Sequence, residues 1–595
     1  MSDAEGAERQ GLGKAIVRLW RTLSRRRRVQ FYVLVVCMIL ASFAEVFSLG
    51  MIVPFLAALT APDRVLSNGI VQQILHFVPW IDRSNIVVWL AAAFCVFTLL
   101  AAILRLLLLY ASSGFAFALG ADLSLEVYRR TLYQPYAVHI GRNSSQVIDG
   151  VRSKSSVMTN NVVAQLLTIG SSFFLLLGIL AALFAISPTI TISAALAFVV
   201  IYGAVLFWSR RQSAHDSRIL ARESTQVQKA LQEGLGGIRD VLLDNTQEVF
   251  SEIYRVSDRR VRTAQGRQIL LAGSPRFVVE GFGMIAIAIL AVVASHGGAD
   301  TSVVPVLGAL ALGAQRLLPI VQQMYSAIVT VRSSEGSLWD SLELLEQPFP
   351  EGTGESAEPI PFARSIELRD VSFRYAPNLP SALEGVRLTV ARGERIGIFG
   401  PTGGGKSTLL DIIMGLLSPT TGAVVIDGLV LDEHSMRGWQ RHVAHVPQSI
   451  YLSDASVAEN IAFGQPRADI DMARVREAAR IAQLLPVIEK LPQGFDTHVG
   501  ERGVRLSGGQ RQRLGIARAL YKRADVIVFD EATSALDTQT EEELMTAISG
   551  LSHDLTIIMV AHRLTTLREC DRLVEIAGGR VARVGGYGEL VEERA

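Results

Sequence analysis

Cysteine is scarce in this 595-residue chain: Cys37, Cys95 and Cys570 stand far apart, show no metal-ligand spacing and read as apolar filler. That excludes a disulfide framework and a zinc site. Charge is scarce too, at 19 % of residues, where a soluble chain carries about a quarter. Charge of one sign is absent, because 57 basic residues face 56 acidic ones for a formal net charge of +1. No electrostatic footprint for nucleic acid follows from such a balance. The excess is apolar, with 50 % hydrophobic residues and a mean hydropathy of +0.33. A purely soluble protein is thereby excluded, and the length allows roughly three or four domains' worth of chain.

The average conceals two halves. Up to about Trp339 long apolar runs alternate with basic stretches, and from about Ile366 the sequence is ordinary globular chain. Between them QPFPEGTGESAEPIPF has too much Pro, Gly, Ser and Glu to build a core, so it reads as a linker. The expected organisation is an N-terminal cytosolic or interfacial helix at 1–28, six spans within 29–346, the linker at 347–362 and a globular domain at 363–595.

A helix needs about 20 mostly apolar residues to cross the hydrocarbon region. Six runs qualify: Phe31 to Leu59, Ile86 to Leu119, Val162 to Ile186, Thr189 to Trp208, Phe277 to Ser295 and Val303 to Val329. Ser187-Pro188 breaks an uncharged stretch from Ser155 to Ser209 and reads as a tight hairpin between spans. Arg21 and Arg25 to Arg28 precede the first run, and Arg129, Arg130, Arg210, Arg211, Arg259 and Arg260 follow the second and fourth. Basic faces are cytosolic, which places both termini inside and the segments 61–85, 187–188 and 297–302 outside. Leu12, Ile16, Leu19, Trp20 and Leu23 recur at helical spacing beside Lys14, Arg18 and Arg21, the pattern of a helix lying in the membrane interface. The first apolar run is too long for a cleaved signal peptide and lacks a small-residue cleavage site.

The second half carries the chemistry. Arg395 to Phe399 reads as a buried strand, followed by Gly400, Pro401, Thr402, Gly403, Gly404, Gly405, Lys406 and Ser407, then an apolar helical run from Leu409 to Leu417. Strand, glycine loop and helix in that order turn backbone N–H groups and a helix N-terminus towards a phosphate chain. Lys406 meets the β and γ phosphates of ATP, Ser407 offers its hydroxyl to Mg2+, and Thr408 donates to the phosphates. A chance glycine turn is the plain alternative, and the strand and helix on either side disfavour it. Val526 to Phe529 is a second buried strand that ends in Asp530 and Glu531. Carboxylates there lie where the phosphates sit, with Asp530 in the magnesium shell and Glu531 polarising the attacking water.

Leu506, Ser507, Gly508, Gly509 and Gln510 resemble the signature motif of ABC transporter ATPases. The resemblance covers essentially the whole chain, since six spans followed by one such ATPase is the plan of an ABC exporter half-transporter. It implies an all-α six-helix transmembrane domain followed by an α/β P-loop ATPase domain. It also implies that two chains are needed, each signature closing over ATP held by the other. Tyr375 then stacks on adenine, although a strand aromatic is its plain alternative. Gln448 senses the γ-phosphate and magnesium, and His562 in VAHRL is the switch histidine that keeps Glu531 and the water in register. Ser534 to Asp537 matches the segment that crosses between subunits, and Glu501-Arg502-Gly503 the turn that touches the cytosolic loops. Gly404 stands where many relatives carry serine. Because Glu531, His562 and the signature are intact, both composite sites of a homodimer are expected to be competent. Helical tips around Tyr136 to Val151 and Ala230 to Phe250 are expected to dock on the ATPases and couple them to the spans.

Cargo is read from the ionisable residues inside the spans, Glu45, Arg105, Glu280 and Arg316, because charge at bilayer depth is costly and so marks partners or a watery cavity. Two readings stand side by side. In one, Glu45 and Glu280 pair with Arg105 and Arg316 as structural bridges. In the other, Arg316, with Arg276 and Arg105, contacts substrate. HIGRNSSQVIDGV, AQRLLPIVQQMY and WQRHVAHVPQSIYLSDASVAENIAFG resemble bacterial flippases for lipid-linked oligosaccharides. That implies an amphipathic polyprenyl-pyrophosphate glycan moved across a bacterial inner membrane, its pyrophosphate at Arg316 and Arg276. A peptide or hydrophobic-drug exporter has the same engine, though no cysteine-protease-like domain precedes the first span. An ATP-regulated channel or membrane sensor is the alternative of another class.

Overall fold

A computed structural model describes residues 11–51, 55, 86–186, 188–296, 303–349, 360–500, 503–532, 538–549, 554–561 and 563–591. It divides into two compact units, Met1–Gln134 with Arg142–Phe349, and Pro135–Gly141 with Pro350–Ala595.

Among the described residues the first unit contains helices and no strand. In chain order it contains α1 (Leu12–Thr22), α2 (Arg25–Gly50) and α3 (Ile86–Leu132). After α4 (Tyr136–Gly141), which groups with the second unit, come α5 (Ala164–Ile186), α6 (Pro188–Gly236), α7 (Ile238–Leu243), α8 (Gln247–His296), α9 (Val303–Ser333) and α10 (Glu335–Leu345). Most of the described part of each of the six apolar runs falls on one of the long helices. Among the described residues three stretches are long and apolar enough to cross a membrane, Arg25–Ser48, Val87–Leu132 and Val147–Phe184. The external connections and many outer side chains of α6, α8 and α9 lie outside the described residues.

Periodicity marked where the apolar runs stop, and the helices do not stop there. α3, α6 and α8 hold 47, 49 and 50 residues, so at 1.5 Å per residue each is roughly 70–75 Å long. That is more than twice the ~30 Å hydrocarbon thickness. Their polar halves stay helical because they pair. α6 runs along α8, and Asp216, almost fully buried, holds Arg267 Nη2 at 2.6 Å, while Glu223 holds Arg260 at 3.0 Å. Within the spans α2 packs on α3 and α5, and α5 on α9. Gly178 permits the α2–α5 approach, since a Cβ there would meet Val46 at 2.7 Å and Ser42 Oγ at 2.9 Å.

The basic run Arg25 to Arg28 precedes the apolar run that starts at Phe31 and forms the first turn of α2. The expectation that the apolar face of α1 lies in the membrane interface is corrected, because that face is spent on protein: Ala15, Leu19 and Leu23 are buried with Leu338, Leu342 and Leu345 of α10. Arg18 adds a cation–π contact to Trp339 at 5.2 Å. The stretch read as linker is likewise anchored at both described ends. The Gln347 carbonyl accepts from Arg130 at 2.8 Å and the Phe349 ring lies 5.3 Å from Tyr133, while Phe362 is buried against Trp439 at 5.3 Å between ring centroids. Short, rigid apolar contacts thus outweigh the linker-like composition of those end residues.

The second unit is α/β. Strands β1 (Ser365–Phe373), β2 (Leu383–Ala391), β4 (Thr421–Ile426) and β5 (Leu429–Val430) form an antiparallel sheet in the order β2-β1-β4-β5. The main sheet runs β10-β9-β3-β8-β7-β6, from β3 (Arg395–Phe399), β6 (Val443–Val446), β7 (Val526–Asp530), β8 (Thr556–Val560), β9 (Arg572–Ala577) and β10 (Arg580–Gly585). β9, β3, β8, β7 and β6 are parallel neighbours. Such strands, covered on both faces, read as continuous apolar runs, and every residue of β8 is buried.

Candidate functional site

The carboxyl ends of four adjacent parallel strands carry the predicted nucleotide residues. β3 leads into the glycine loop and α11 (Lys406–Ile413), β7 ends in Asp530 with Glu531 next, β6 leads to Gln448, and β8 leads to Ala561. An open α/β sheet binds its ligand at this edge. The topology alone therefore gathers residues spread over more than a hundred positions of sequence.

Within the loop, Gly400, Gly403 and Gly405 have φ of 147°, 77° and 103°, backbone that favours glycine. Lys406 is buried, and its Nζ donates to the carbonyls of Gly400 and Pro401 at 3.0 Å each. That folds the ammonium back over the loop that carries the backbone N–H groups. Ser407 is exposed on the first turn of α11 and Thr408 is buried. Gly404 is tightly enclosed, because a Cβ there would stand 2.9 Å from the Ile576 carbonyl oxygen and 3.0 Å from that of Pro401. Tyr375 leaves about half its surface exposed, packs edge-on to Phe373 at 4.9 Å, and its hydroxyl lies 3.0 Å from that of Thr408. The ring is thereby tied to the first turn of the helix that follows the glycine loop.

Gln448 Nε2 donates to Glu531 Oε2 at 2.6 Å, joining two predicted catalytic residues. Glu531 has φ of 52° and its N–H donates to the Val560 carbonyl at 2.9 Å. The left-handed backbone turns the carboxylate away from the line of β7, strain of a kind that collects at functional sites. His562, Asp537, Glu501 and Arg502 lie outside the described residues, and so does the segment Ser534 to Asp537. Among the described residues no group of three or more His, Cys, Asp or Glu could hold a metal. Ser407 and Asp530 are instead oxygen donors of the kind that complete a Mg2+ shell brought in on phosphates.

The signature motif has a local role that its resemblance did not reveal. Beyond α12 (Met472–Ile481), Ser507 caps α13 (Gly508–Lys522). Its hydroxyl accepts from Gln510 N at 3.2 Å, and Gln510 Oε1 accepts from Ser507 N at 2.9 Å. This is a capping box, legible as Ser-x-x-Gln ahead of an apolar run. Leu506 is buried beneath it and Gly508 and Gly509 form the first turn. A 15-residue helix so capped presents its positive end at the motif.

Asp411, on α11, was not singled out from sequence. Burial pushes its carboxyl up to about 6, and the negative charge of Asp530 adds to the shift. Between the ordinary value of 3.8 and about 6 the folded chain keeps a proton that the unfolded chain has released. Its contribution to stability is therefore present below that window and lost as pH rises through it. Thermal unfolding followed across this pH range should show wild type losing stability as pH rises, with a shallower slope in Asp411→Asn. Equal slopes would remove the assignment. Tyr136 of α4 belongs to the same neighbourhood: burial raises its hydroxyl first, then Asp411 and Tyr375. α7, the second predicted tip, lies in the helical unit with Ile238, Leu242 and Leu243 exposed.

In the spans the ionisable residues follow the bridge reading at Glu45 and Arg105 and depart from it at Glu280. Arg105 Nη1 meets Glu45 Oε1 at 3.3 Å, with Glu45 buried and Arg105 half exposed. Glu280 pairs with Arg276, one turn away on α8, at 2.8 Å. The expected Glu280–Arg316 bridge is thus not needed to partner Glu280. Arg316 falls on α9 and its side chain lies outside the described residues. The Glu45–Arg105 pair lines a cavity of about 610 Å3 between α2, α3 and α5, with Gln323 of α9 at its edge.

Residues 31–300 match the ABC transporter transmembrane region, and residues 383–534 match the ABC transporter family. The chain is 29% identical over 482 residues to the ATP-dependent lipid A-core flippase of Ralstonia nicotianae, 79% of this chain and 80% of the relative. It is 31% identical over 485 residues to the protein of the same name from Burkholderia pseudomallei, 79% of each. The heterocyst differentiation ATP-binding protein HepA of Nostoc sp. is 29% identical over 96% of this chain and 93% of its own. A bacterial Atm1-family ABC exporter solved with ATP bound shares the fold, with a TM-score of 0.76 over 96% of both chains at 23% identity. Strand ends, glycine loop and capped signature helix, carried behind a matched membrane region, make this chain a member of the ABC transporter family, an exporter-type protein that couples an ATPase to a transmembrane domain.

Proposed function

We propose that two copies of the chain form an ATP-driven flippase that moves a lipid-linked glycan, such as a polyprenyl-pyrophosphate oligosaccharide, from the cytosolic to the external leaflet of a bacterial inner membrane. The polar, ion-paired cavity inside otherwise apolar spans carries this reading, because a bilayer-depth charge pair is retained where polar cargo or water must pass. The flippase names of the relatives support it. Basic residues flanking the spans support a cytosolic position for the ATPase and both termini.

In the ATPase, the loop from Gly400 to Gly405 cradles the phosphates and Lys406 leaves its carbonyl partners for them. Ser407, Gln448 and Asp530 would hold Mg2+, which neutralises phosphate charge. Tyr375 stacks on the base, and Glu531, positioned by Gln448 and assisted by His562, polarises the attacking water. The Leu506–Gln510 helix end of one copy closes over the nucleotide held by the other, with Asp537 at the crossing. Closure carries the long helices from inward- to outward-facing, and hydrolysis resets them, so the work comes from the different stability of the two states with and without ATP. Arg316 takes the pyrophosphate, for which a guanidinium fork is suited. Arg276 and Arg105 serve that role less well, each already facing a carboxylate.

Reconstituted protein assayed against polyprenyl-pyrophosphate glycans, peptides and drugs should show ATPase stimulation and flipping with the glycan lipids. Arg316→Ala should abolish flipping while leaving basal ATPase within about twofold, because an interaction made only with cargo does not touch the hydrolytic step. Stimulation by peptides or drugs alone would reject the cargo.

A further inference from the structure

We infer that the cavity between α2, α3 and α5 is a binding track for neutral sugar, taking the hydroxyl groups of the cargo's glycan head. This rests on the flippase reading and assigns the part of the cargo that Arg316 does not hold.

The polar groups lining the cavity recur on single helix faces. Ser42 and Glu45 are one turn apart on α2, Thr168 and Ser171 one turn apart on α5, and Arg105 and Ser112 two turns apart on α3. Seven residues on α3 span about 10 Å along the helix. The groups therefore form a lane running along the spans, not a point site. Its volume of about 610 Å3 lies within the ~300–1,000 Å3 usual for small-molecule pockets.

The chemistry of the lining selects a neutral polyol. The hydroxyl protons are spent on backbone: Ser42 donates to the Phe174 carbonyl at 2.8 Å, Ser112 to Leu108 at 2.7 Å, Thr168 to Ala164 at 3.0 Å and Ser171 to Thr168 at 3.0 Å. Each oxygen keeps acceptor capacity for an incoming O–H. Glu45 and Arg105 sum to zero charge while offering a carboxylate and the remaining N–H groups of a guanidinium side by side. That combination matches a ring hydroxyl, which both donates and accepts. It does not match a phosphate, which the Glu45 carboxylate would repel. The expectation that Arg105 serves as an anion clamp is replaced by this assignment.

The shortage of cysteine makes the test clean. With Cys37, Cys95 and Cys570 replaced by Ala, single cysteines are introduced as Ser112→Cys and Ser171→Cys in full-length protein in phosphatidylcholine proteoliposomes. Modification by a membrane-impermeant methanethiosulfonate is followed without ATP, in the presence of maltotetraose, pyrophosphate or neither. Both thiols should react, and millimolar maltotetraose should slow the reaction while pyrophosphate does not. Glu45→Gln and Arg105→Gln should weaken that protection about tenfold, the size of one hydrogen bond to a charged group. Circular dichroism and the elution volume of each variant monitor folding, since removing one partner of the buried Glu45 pair is itself expected to lower the unfolding temperature. Unreactive thiols would show that the hydroxyls only pack helices, and protection by pyrophosphate in place of the sugar would show an anion site. Protection that survives both substitutions would also overturn the inference. Because no transport step is involved, protection without flipping rejects the flippase reading and keeps the track, and flipping without protection does the reverse.

Discussion

Glu531→Gln should lower ATP turnover by about 10^2- to 10^4-fold, the range seen when a group that handles the reacting proton is removed, while ATP affinity changes little. Glutamine keeps the shape of the side chain and can still bond to Gln448, whose Nε2 stands 2.6 Å from the carboxylate. The backbone at φ 52° and its N–H to Val560 are untouched. What is lost is the negative oxygen that polarises water, so the defect belongs to the chemical step and not to binding. Steady-state phosphate release together with ATP binding by equilibrium dialysis separates the two. Turnover within tenfold of wild type would transfer the role to another residue.

Gly400→Ala should weaken ATP binding by ~100-fold, about 2.8 kcal/mol at 1.4 kcal/mol per decade, and lower stability as well. A Cβ at Gly400 would sit 2.0 Å from the Ile576 carbonyl oxygen, which is backbone of β9 and cannot swing aside. The φ of 147° adds strain for any side chain. Gly403→Ala is the control: it too has positive φ, but nothing lies within 4 Å of its Cβ position, so its cost is the conformational one alone, roughly 1–2 kcal/mol. Binding of a fluorescent ATP analogue and thermal unfolding of both variants check the ranking. Equal losses would mean that the contact with β9 contributes nothing.

Much of the ATPase was legible because its evidence is local. A buried strand, a glycine loop and a helix start are contiguous, and Asp530-Glu531 follow a strand whose apolar run is unbroken. Sequence had the helix after the loop reaching Leu417, whereas α11 ends at Ile413, since Gly415 at φ 68° turns the chain out of the helix. The membrane half was legible only where lipid dictates composition. Apolar runs marked the spans and their length implied helices projecting beyond them, but the ion pairs that hold the polar extensions of α6 and α8 together, such as Asp216–Arg267, join distant positions that no window of sequence displays. The same reason explains the ionisable residues. Glu45 with Arg105 and Glu280 with either Arg316 or Arg276 are equal on paper, and helix rotation decides between them. Two π-helical stretches, Gly150–Lys154 and Met158–Val163, had no sequence signal either. In the second of them Met158, Val162 and Val163 are buried, and that stretch packs on α3, α9 and α10.

The central claim is that ATP hydrolysis by this chain drives a glycan-bearing lipid across the bilayer. It is tested most directly by following a polyprenyl-pyrophosphate oligosaccharide in sealed proteoliposomes with an enzyme that trims glycans on one leaflet only. With ATP and Mg2+, wild type should empty the ATPase-side leaflet of the lipid, and Glu531→Gln should leave it in place. An unchanged leaflet distribution while wild-type protein hydrolyses ATP would contradict the account, and so would equal movement in the variant.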